Sequence, residues 1–303
     1  MTQLPSNPVA QKKILVLVGG GTKHISPFKE AGDRLGVEVV IGSFGNLNYK
    51  LEHRQRLFCG DQDIADFDVL YFRLVGRRAE DASLVAEYAK KHKVRVVDSI
   101  YQKGYSFLPL KKSQEMMVLA ENNIPLPKTV FGSLKYLVDE APSVLGFPLV
   151  VKGSYGKQGH AVWLIRDSAE LAELYTELRG KEKEGKRFFA QEFVKITERT
   201  RVFVLGDRVI GSIVLRAKWR KYVESLDISY LIRPGLADGD SYELAVKAAR
   251  TLGIEVAGVD LIQDIFSGKV YVLEVNSAPR WVRFKRETGI NVEKEIVKYL
   301  SSL

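Results

Sequence analysis

Three groups of residues have types and spacings suited to chemistry. In FPLVVKGSYGKQGHAVWLI, Lys152 stands just ahead of a loop that carries Gly153, Gly156 and Gly159. Glycines let backbone N–H groups approach phosphates with no Cβ in the way, and a nearby lysine offsets the phosphate charge. A Walker loop runs strand, loop, helix and closes on GK[ST]. Here the lysine precedes the glycines, and the residues after them alternate like a strand. The segment is therefore either a hairpin that folds over a nucleotide or an ordinary hairpin with glycines in its turn.

The second group is Asp260, Glu274 and Asn276. Period two puts Glu274 and Asn276 on one face of YVLEVN. A hairpin loop centred on Ser267 sets Asp260 opposite Glu274 on that face. Three hard oxygen donors with no thiolate or imidazole suit Mg²⁺ better than zinc or copper. A polar strand face in water is the plain alternative. Yet Asp260 lies within VAGVDLI and Glu274 within YVLEV, and a carboxylate in an apolar strand needs a cation or a partner.

The third group is a pair of basic-aromatic clusters, RAKWRK (216–221) and RWVRFKR (280–286), with eight cations and no acid. Such runs can be solvated faces, stacking platforms for single-stranded nucleic acid, or clamps for phosphate and carboxylate. The second cluster begins four residues past Asn276, which favours the clamp. The two clusters hold eight of the 46 Lys and Arg residues; without them the chain has 38 cations against 37 acids. The net charge of +9 is thus local. It points to an anionic substrate, such as an acidic peptide or a phosphorylated acid, and not to a general coat for nucleic acid. No recognised nucleic-acid module occurs.

Other signals are weaker. Gly19-Gly20-Gly21 lacks GxGxxG spacing and reads as a tight turn after a strand. His24, His53, His92 and His160 are scattered, without HExxH or GxSxG, so neither a zinc hydrolase nor a serine triad has support. The single cysteine, Cys59, rules out an internal disulfide framework and a Cys-based zinc site.

These residues need elements to hold them. The chain has 303 residues, 46% hydrophobic and 27% charged, enough for two or three domains and too apolar for wholesale disorder. No apolar run reaches the ~18–20 residues of a membrane span. The polar start, MTQLPSNPVAQKK, lacks the apolar core of a secretory signal, so we expect a frayed arm over 1–12 and a cytoplasmic protein. From 13 to 110, KKILVLV, VEVVIGSF, FDVLYFRLVG and VRVVDS read as strands. A helix over 26–35 and a second in EDASLVAEYAKKHK alternate with them, a doubly wound βαβ domain. In 111–195 a helix precedes Pro125 and Pro127, with Met116, Leu119 and Ala120 on its apolar face. The glycine hairpin, a helix capped by Asp167 or Ser168, and the strand FFAQEFV follow. In 196–303, RVFVLGDRVIGSIVLR is a hairpin across Gly206-Asp207, SYELAVKAARTLG a helix, and VAGVDLI and KVYVLEVN paired strands.

Taken together, these segments resemble the RimK-like ligases of the ATP-grasp superfamily, which add glutamate to the C-terminus of a ribosomal protein. The resemblance covers about residues 70–295 and is most specific in AVKAARTLGIEVAGVDLI and VLEVNSAPRWVRFKRETGINV. It implies an α/β (α+β) ATP-grasp fold, with an N-terminal doubly wound pre-ATP domain and two α+β subdomains that clamp ATP. It further implies that Lys112 and Lys152 hold ATP phosphates. The loop SYGKQG, with Ser154, Gly156, Gln158 and Gly159, resembles the phosphate-covering lid. QEFV resembles the adenine hinge, lined by Gln191, Glu192, Phe193 and Val194. Asp260, Glu274 and Asn276 match the metal ligands, for two Mg²⁺ ions or Mn²⁺. Arg201 matches an arginine of the strand after the hinge, and Arg73 one that faces the acceptor side.

The departures are as informative. Arg199 stands where the family has an acidic residue, leaving Glu198 for the ribose. SNLHRGG becomes SYLIRPG, so Tyr230 and Ile232 replace an asparagine and a histidine while Arg233 remains. NSSPGLEG becomes NSAPRWVR. The ATP and metal half is thus expected to be intact and the substrate half rewritten, with Arg73, Lys218, Tyr230, Arg280, Trp281 and Arg283 as its candidates. The implied reaction is phosphorylation of a carboxylate by ATP and displacement of phosphate by an amine, with Arg216 and Arg233 balancing the transferred charge. Carboxylate and amine substrates, an acidic peptide or protein tail among them, and a homo-oligomer are the implied partners; no membrane is. A nucleotide-binding regulatory protein without ligase activity and a nucleic-acid-binding protein are the alternatives.

Overall fold

The computed structural model of the chain describes residues 12–51, 55–103, 112–154, 161–196, 198–216, 233–234 and 239–303. KILVLV forms β1 (Lys13–Val18), and α1 (Ser26–Leu35) returns the chain to β2 (Glu38–Ser43). A small antiparallel ribbon then intervenes, β3 (Leu47–Leu51), β4 (Gln55–Cys59) and β5 (Gln62–Asp63), which the βαβ reading had not separated. The rhythm resumes with β6 (Val69–Leu74), α2 (Ala79–Lys91) and β7 (Arg95–Val97). The four-stranded sheet is parallel with order β2-β1-β6-β7. Gly19 is required by close approach: its N–H donates to Leu74 O at 2.6 Å, and a Cβ there would stand 2.2 Å from Val75 O.

Next come α3 (Lys112–Glu121), β8 (Thr129–Gly132), α4 (Leu134–Leu145), β9 (Leu149–Gly153), β10 (Val162–Ile165), α5 (Ser168–Lys183) and β11 (Phe188–Glu192). The sheet order is β10-β9-β11-β8, antiparallel throughout. β9 and β10 pair across the glycine segment, Lys152 opposite Val162, so this is a hairpin as the alternation predicts. Asp167 caps α5 by accepting from the N–H groups of Ala169 and Glu170. Helix α3 differs from expectation. Its buried residues are Glu115, Met116 and Leu119, whereas Ala120 is exposed. A glutamate displaces an alanine from the buried face because it has a buried backbone N–H to satisfy.

The last sheet is β14-β13-β12-β15-β16, also antiparallel. It is built from β12 (Glu198–Leu205), β13 (Arg208–Arg216), β14 (Arg233–Pro234), β15 (Val256–Gln263) and β16 (Val270–Asn276). Helix α6 (Gly239–Leu252) precedes β15, and α7 (Val282–Thr288) and α8 (Val292–Ser302) follow β16.

Period-two alternation divides both the parallel sheet and this last one between the same two cores. Leu15, Leu70 and Val96 pack with Val202, Val204, Val259 and the α6 alanines. On the other face Ile14, Val16 and Tyr71 pack with Phe203, Phe284, Ile296 and Leu300. Leu119 of α3 and Ile124 join the first of these cores. The β8–β11 sheet keeps a core of its own with α4 and α5, including Leu137, Trp163, Leu174 and Phe188. No helix among the described residues is long and apolar enough to cross a membrane.

Candidate functional site

Asp260 lies at the middle of β15, an almost continuously buried strand, and is itself fully buried. Its neighbour on one side is Arg201 of β12 and on the other Glu274 of β16, both at register positions directly opposite it. The sequence placed Asp260 opposite Glu274, and the register agrees. The hairpin reaches that register through a bulge: Leu261 pairs with Val272 and Asp260 with Glu274, which leaves Leu273 as the extra residue. Asn276 is paired with Gly258, two residues on. Its amide donates to Gly258 O and to Glu274 Oε1, each at 3.2 Å, so its carbonyl oxygen is the end not used in either bond.

Two carboxylates at opposed positions repel unless positive charge is supplied. Arg201 supplies it to Asp260 through a fork, Nε to Oδ1 at 2.6 Å and Nη2 to Oδ2 at 2.7 Å, with Arg199 Nη1 at 3.4 Å from Oδ2. Lys112, the first residue of α3, is ion-paired with Glu274. Burial would raise the Glu274 carboxyl, but the Lys112 ammonium, with help from Asn276 and Arg201, brings it down to about 2. At Asp260 burial prevails over Arg201, and the carboxyl lies above its ordinary value. Burial opposes the charge on Lys112, yet Glu274 holds that ammonium above the usual lysine range.

The β8–β11 sheet brings a second lysine to the cluster. Lys152 on β9 bonds to Gln191 Oε1 of β11, and Gln191 Nε2 donates to Thr129 Oγ1 at 2.9 Å. Burial, and the nearby charge of Lys112, lower Lys152 to about 8. Lys152 thus feels the charges of both Lys112 and Glu274, and an anion near the two lysines would relieve their repulsion.

Two carboxylates and an amide oxygen are hard donors of the kind a divalent cation such as Mg²⁺ or Mn²⁺ takes, and the lysines and arginines around them suit an anion that would accompany it. Among the described residues no group of three or more His, Cys, Asp or Glu is placed to hold a metal. Asn276 and oxygens from a ligand would therefore complete the coordination.

The remaining sequence candidates are distributed as follows. Glu192 Oε1 accepts from Lys128 N at 2.7 Å, Phe193 is half-buried and Val194 buried. Gln191 is 2% exposed, and its side chain is bonded to Lys152 and Thr129. Ser154 is half-buried and its N–H donates to Arg187 O at 2.8 Å. Glu198 pairs in register with Arg216 at the end of the β12–β13 hairpin, and Arg233 pairs with Val214. Gly156, Gln158, Gly159, Lys218 and Tyr230 lie outside the described residues.

The second basic cluster is divided by the fold. Trp281 is buried, donates from its indole nitrogen to Glu293 Oε1 at 2.9 Å, and carries the Arg73 guanidinium 3.9 Å from its ring centroid. Arg73 also donates to Pro279 O at 2.9 Å. Trp281, expected to meet substrate, is thus a support for Arg73, because its ring and N–H are taken up inside the protein. Lys285 pairs with Glu293 and Arg286 with Glu287. Arg280 and Arg283 are exposed, with no ion pair among the described residues.

Sequence reasoning missed two residues of this site. Arg199 entered only as a departure from a pattern, and its place beside Asp260 follows from the β12–β15 register. Glu115 was hidden because one carboxylate on an apolar helix face resembles a solvated residue when its partner is 160 positions away.

Residues 110–300 match the RimK-like ATP-grasp domain family. A probable alpha-L-glutamate ligase of Cellvibrio japonicus is 31% identical over 195 residues, 62% of each chain. One of Xanthomonas oryzae pv. oryzae is 34% identical over 192 residues, 62% of this chain and 63% of that one. The chain spans less than two thirds of the length of these curated relatives. Among solved structures, the ATP-grasp ligase PsnB complexed with minimal precursor superposes with a TM-score of 0.75 at 16% identity, over 96% of this chain and 99% of that one. D-cycloserine synthetase DcsG superposes at 0.68 and 16% identity, over 95% and 99%. At that identity the superpositions establish the fold, a mixed α/β architecture of the ATP-grasp type.

Proposed function

We propose that this chain, which belongs to the RimK-like ATP-grasp family, is an ATP-dependent carboxylate–amine ligase that forms an amide or peptide bond through an acyl phosphate. The observation that carries the reading is the charge cluster itself. Asp260 of β15 lies opposite Glu274 of β16, two residues from Asn276, with Lys112, Lys152 and Arg201 gathered around them from three other elements.

In this reading the 111–195 segment closes over a nucleotide held against the sheet of 196–303. Lys112 and Lys152 bind its phosphates, the loop at 154–159 covers them, and residues 191–194 line the adenine, with Glu198 at the ribose. Asp260, Glu274 and Asn276 hold Mg²⁺, which when bound offsets charge on the polyphosphate. A substrate carboxylate oxygen attacks the γ-phosphorus in line, the bond to the β–γ bridging oxygen breaks, and ADP leaves. The amine then attacks the acyl carbon, phosphate departs with the C–O bond electrons, and the nitrogen loses a proton. Little covalent work falls to the protein, so positioning and charge neutralisation carry the catalysis. Arg216 and Arg233 balance charge on the transferred phosphoryl, and exclusion of water protects the acyl phosphate.

The substrate half is where this chain departs from the glutamate-adding enzymes, so the reading transfers the reaction and not the specificity. Arg73, Arg280 and Arg283, with Lys218 and Tyr230, favour an anionic substrate, and an acidic peptide or protein tail fits that chemistry. PsnB, solved with its precursor, offers a precedent for a peptide on this fold. A screen of carboxylate and amine pools for stimulated ADP release tests the proposal. Stimulation that needs both partners supports it; ATP hydrolysis indifferent to every pair rejects it.

A further inference from the structure

Helix α3 presents two charged side chains to the strand that carries Glu274 and Asn276. Lys112, at its first position, pairs with Glu274. Glu115, one turn later on the same face, accepts the N–H of Val275 at 2.6 Å. Val275 stands between the two residues assigned to the metal, and its own side chain points away from them into the first core.

The bond answers a specific difficulty. β16 is the edge strand of its sheet, so its outward N–H groups have no ladder partner. Two are met from outside the sheet: Val272 N donates to Pro125 O at 2.8 Å, and Val275 N donates to Glu115. These two contacts lie on either side of the bulged residue Leu273. A bulge of this kind re-aims the side chain that follows it, and the one that follows here is Glu274. Glu115 is 8% exposed, so it sits at a position where an apolar residue would ordinarily pack, and its carboxylate has a defined use there.

We propose that Glu115 is a positioning residue for the metal site. By accepting the Val275 N–H it holds the bulge in β16, and so keeps Glu274 opposite Asp260 and Asn276 on the same face. Its bond is to the backbone of the strand, one residue from Glu274 and from Asn276. The proposal rests on the reading of Asp260, Glu274 and Asn276 as ligands of a divalent cation. Residues that orient ligands in this way typically change metal affinity ~10–100-fold when removed.

The test is Mn²⁺ binding, followed by the paramagnetic resonance of the free ion in the presence of ADP, on the full chain. Glu115→Ala removes the acceptor, and its Mn²⁺ Kd is expected to rise by ~10-fold or more. Its Kd for ADP without metal should change less than its Kd for Mn²⁺, since the bond lost is to the Val275 backbone and Lys112 remains in place. Glu115→Gln keeps an acceptor oxygen at the same reach and is expected to retain wild-type Mn²⁺ affinity. If Glu115→Ala does not fold, Glu115→Asp, one methylene short, replaces it in the comparison. Equal Mn²⁺ affinity in the wild type and the variant lacking reach overturns the proposal, and so does a Gln variant as weak as the Ala or Asp one. Absence of Mn²⁺ binding in the wild type overturns the metal reading itself, a different outcome from either.

Discussion

Arg201 and Asp260 face each other across β12 and β15, and the guanidinium closes both carboxylate oxygens, at 2.6 and 2.7 Å. The carboxylate is fully buried, and only 17% of the arginine side chain is exposed. A bidentate pair between antiparallel strands fixes the strands as well as the charges, because the planar fork accepts one orientation of its partner.

Loss of Arg201 leaves a buried carboxylate without its counter-charge. Arg201→Ala is expected to cost about 3–5 kcal/mol of stability. Arg201→Lys should recover only part of that, since an ammonium cannot make both bonds. Arg199 is 3.4 Å away and 36% exposed, so Arg199→Ala should cost less than about 1 kcal/mol. Urea unfolding of the three variants orders these effects; an Arg201→Ala midpoint equal to wild type contradicts the account.

Lys152 is lowered to about 8 by burial and by Lys112. The ammonium proposed to bind phosphate is therefore present below about pH 8 and lost as pH rises through it. Bound phosphate favours the charged form, so nucleotide binding takes up a proton at and above that pH. ATP affinity should fall above pH 8 in the wild type and become flat there in Lys152→Met. Calorimetric titrations at several pH values measure both, and a flat wild-type profile would be inconsistent with the assigned role.

Glu274 is held at about 2, so it remains ionised across the working pH range and produces no acid limb near neutrality. Glu274→Gln and Asp260→Asn are each expected to abolish ATP turnover. For Glu274→Gln the circular dichroism spectrum should stay native, because the site is a quarter exposed and Lys112 can turn to solvent. Turnover retained in either variant excludes that carboxylate from the metal set.

Arg280 and Arg283 are exposed cations of the second basic cluster, and unlike Arg286, which pairs with Glu287, they have no ion pair among the described residues. Replacing both with glutamine should raise the KM of the acceptor by ~10-fold or more, at about 1.4 kcal/mol per tenfold, and leave the KM of ATP within about twofold. Steady-state kinetics with each substrate varied in turn decides it. A larger effect on ATP than on the acceptor refutes the anionic-acceptor reading.

Local pattern accounts for much of what was legible. The strand faces of VAGVDLI and YVLEVN follow from period two, and a loop centred on Ser267 puts Asp260 opposite Glu274. The pairing is as expected, but the strands reach it through the bulge at Leu273, which no local pattern announced. The glycine hairpin at Lys152 and the Asp167 cap were equally local. Helix α3 shows where that logic stops. Periodicity named Met116 and Leu119 correctly but gave Ala120 a place that belongs to Glu115.

By itself, then, the sequence determined element type, the faces of the strands and the kind of chemistry: hard oxygens beside lysines and arginines. Tertiary structure alone decided which cation meets which carboxylate. Lys112 reaches Glu274 across 162 positions, Glu115 reaches Val275 across 160, and Arg201 reaches Asp260 across 59. It also turned Trp281 inward to carry Arg73 and left Arg280 and Arg283 in solvent. The reason is physical. A side chain's direction within an element is set by bond geometry over a few residues, whereas its partner is set by which apolar faces bury one another. That is a property of two shared cores and of no segment taken alone.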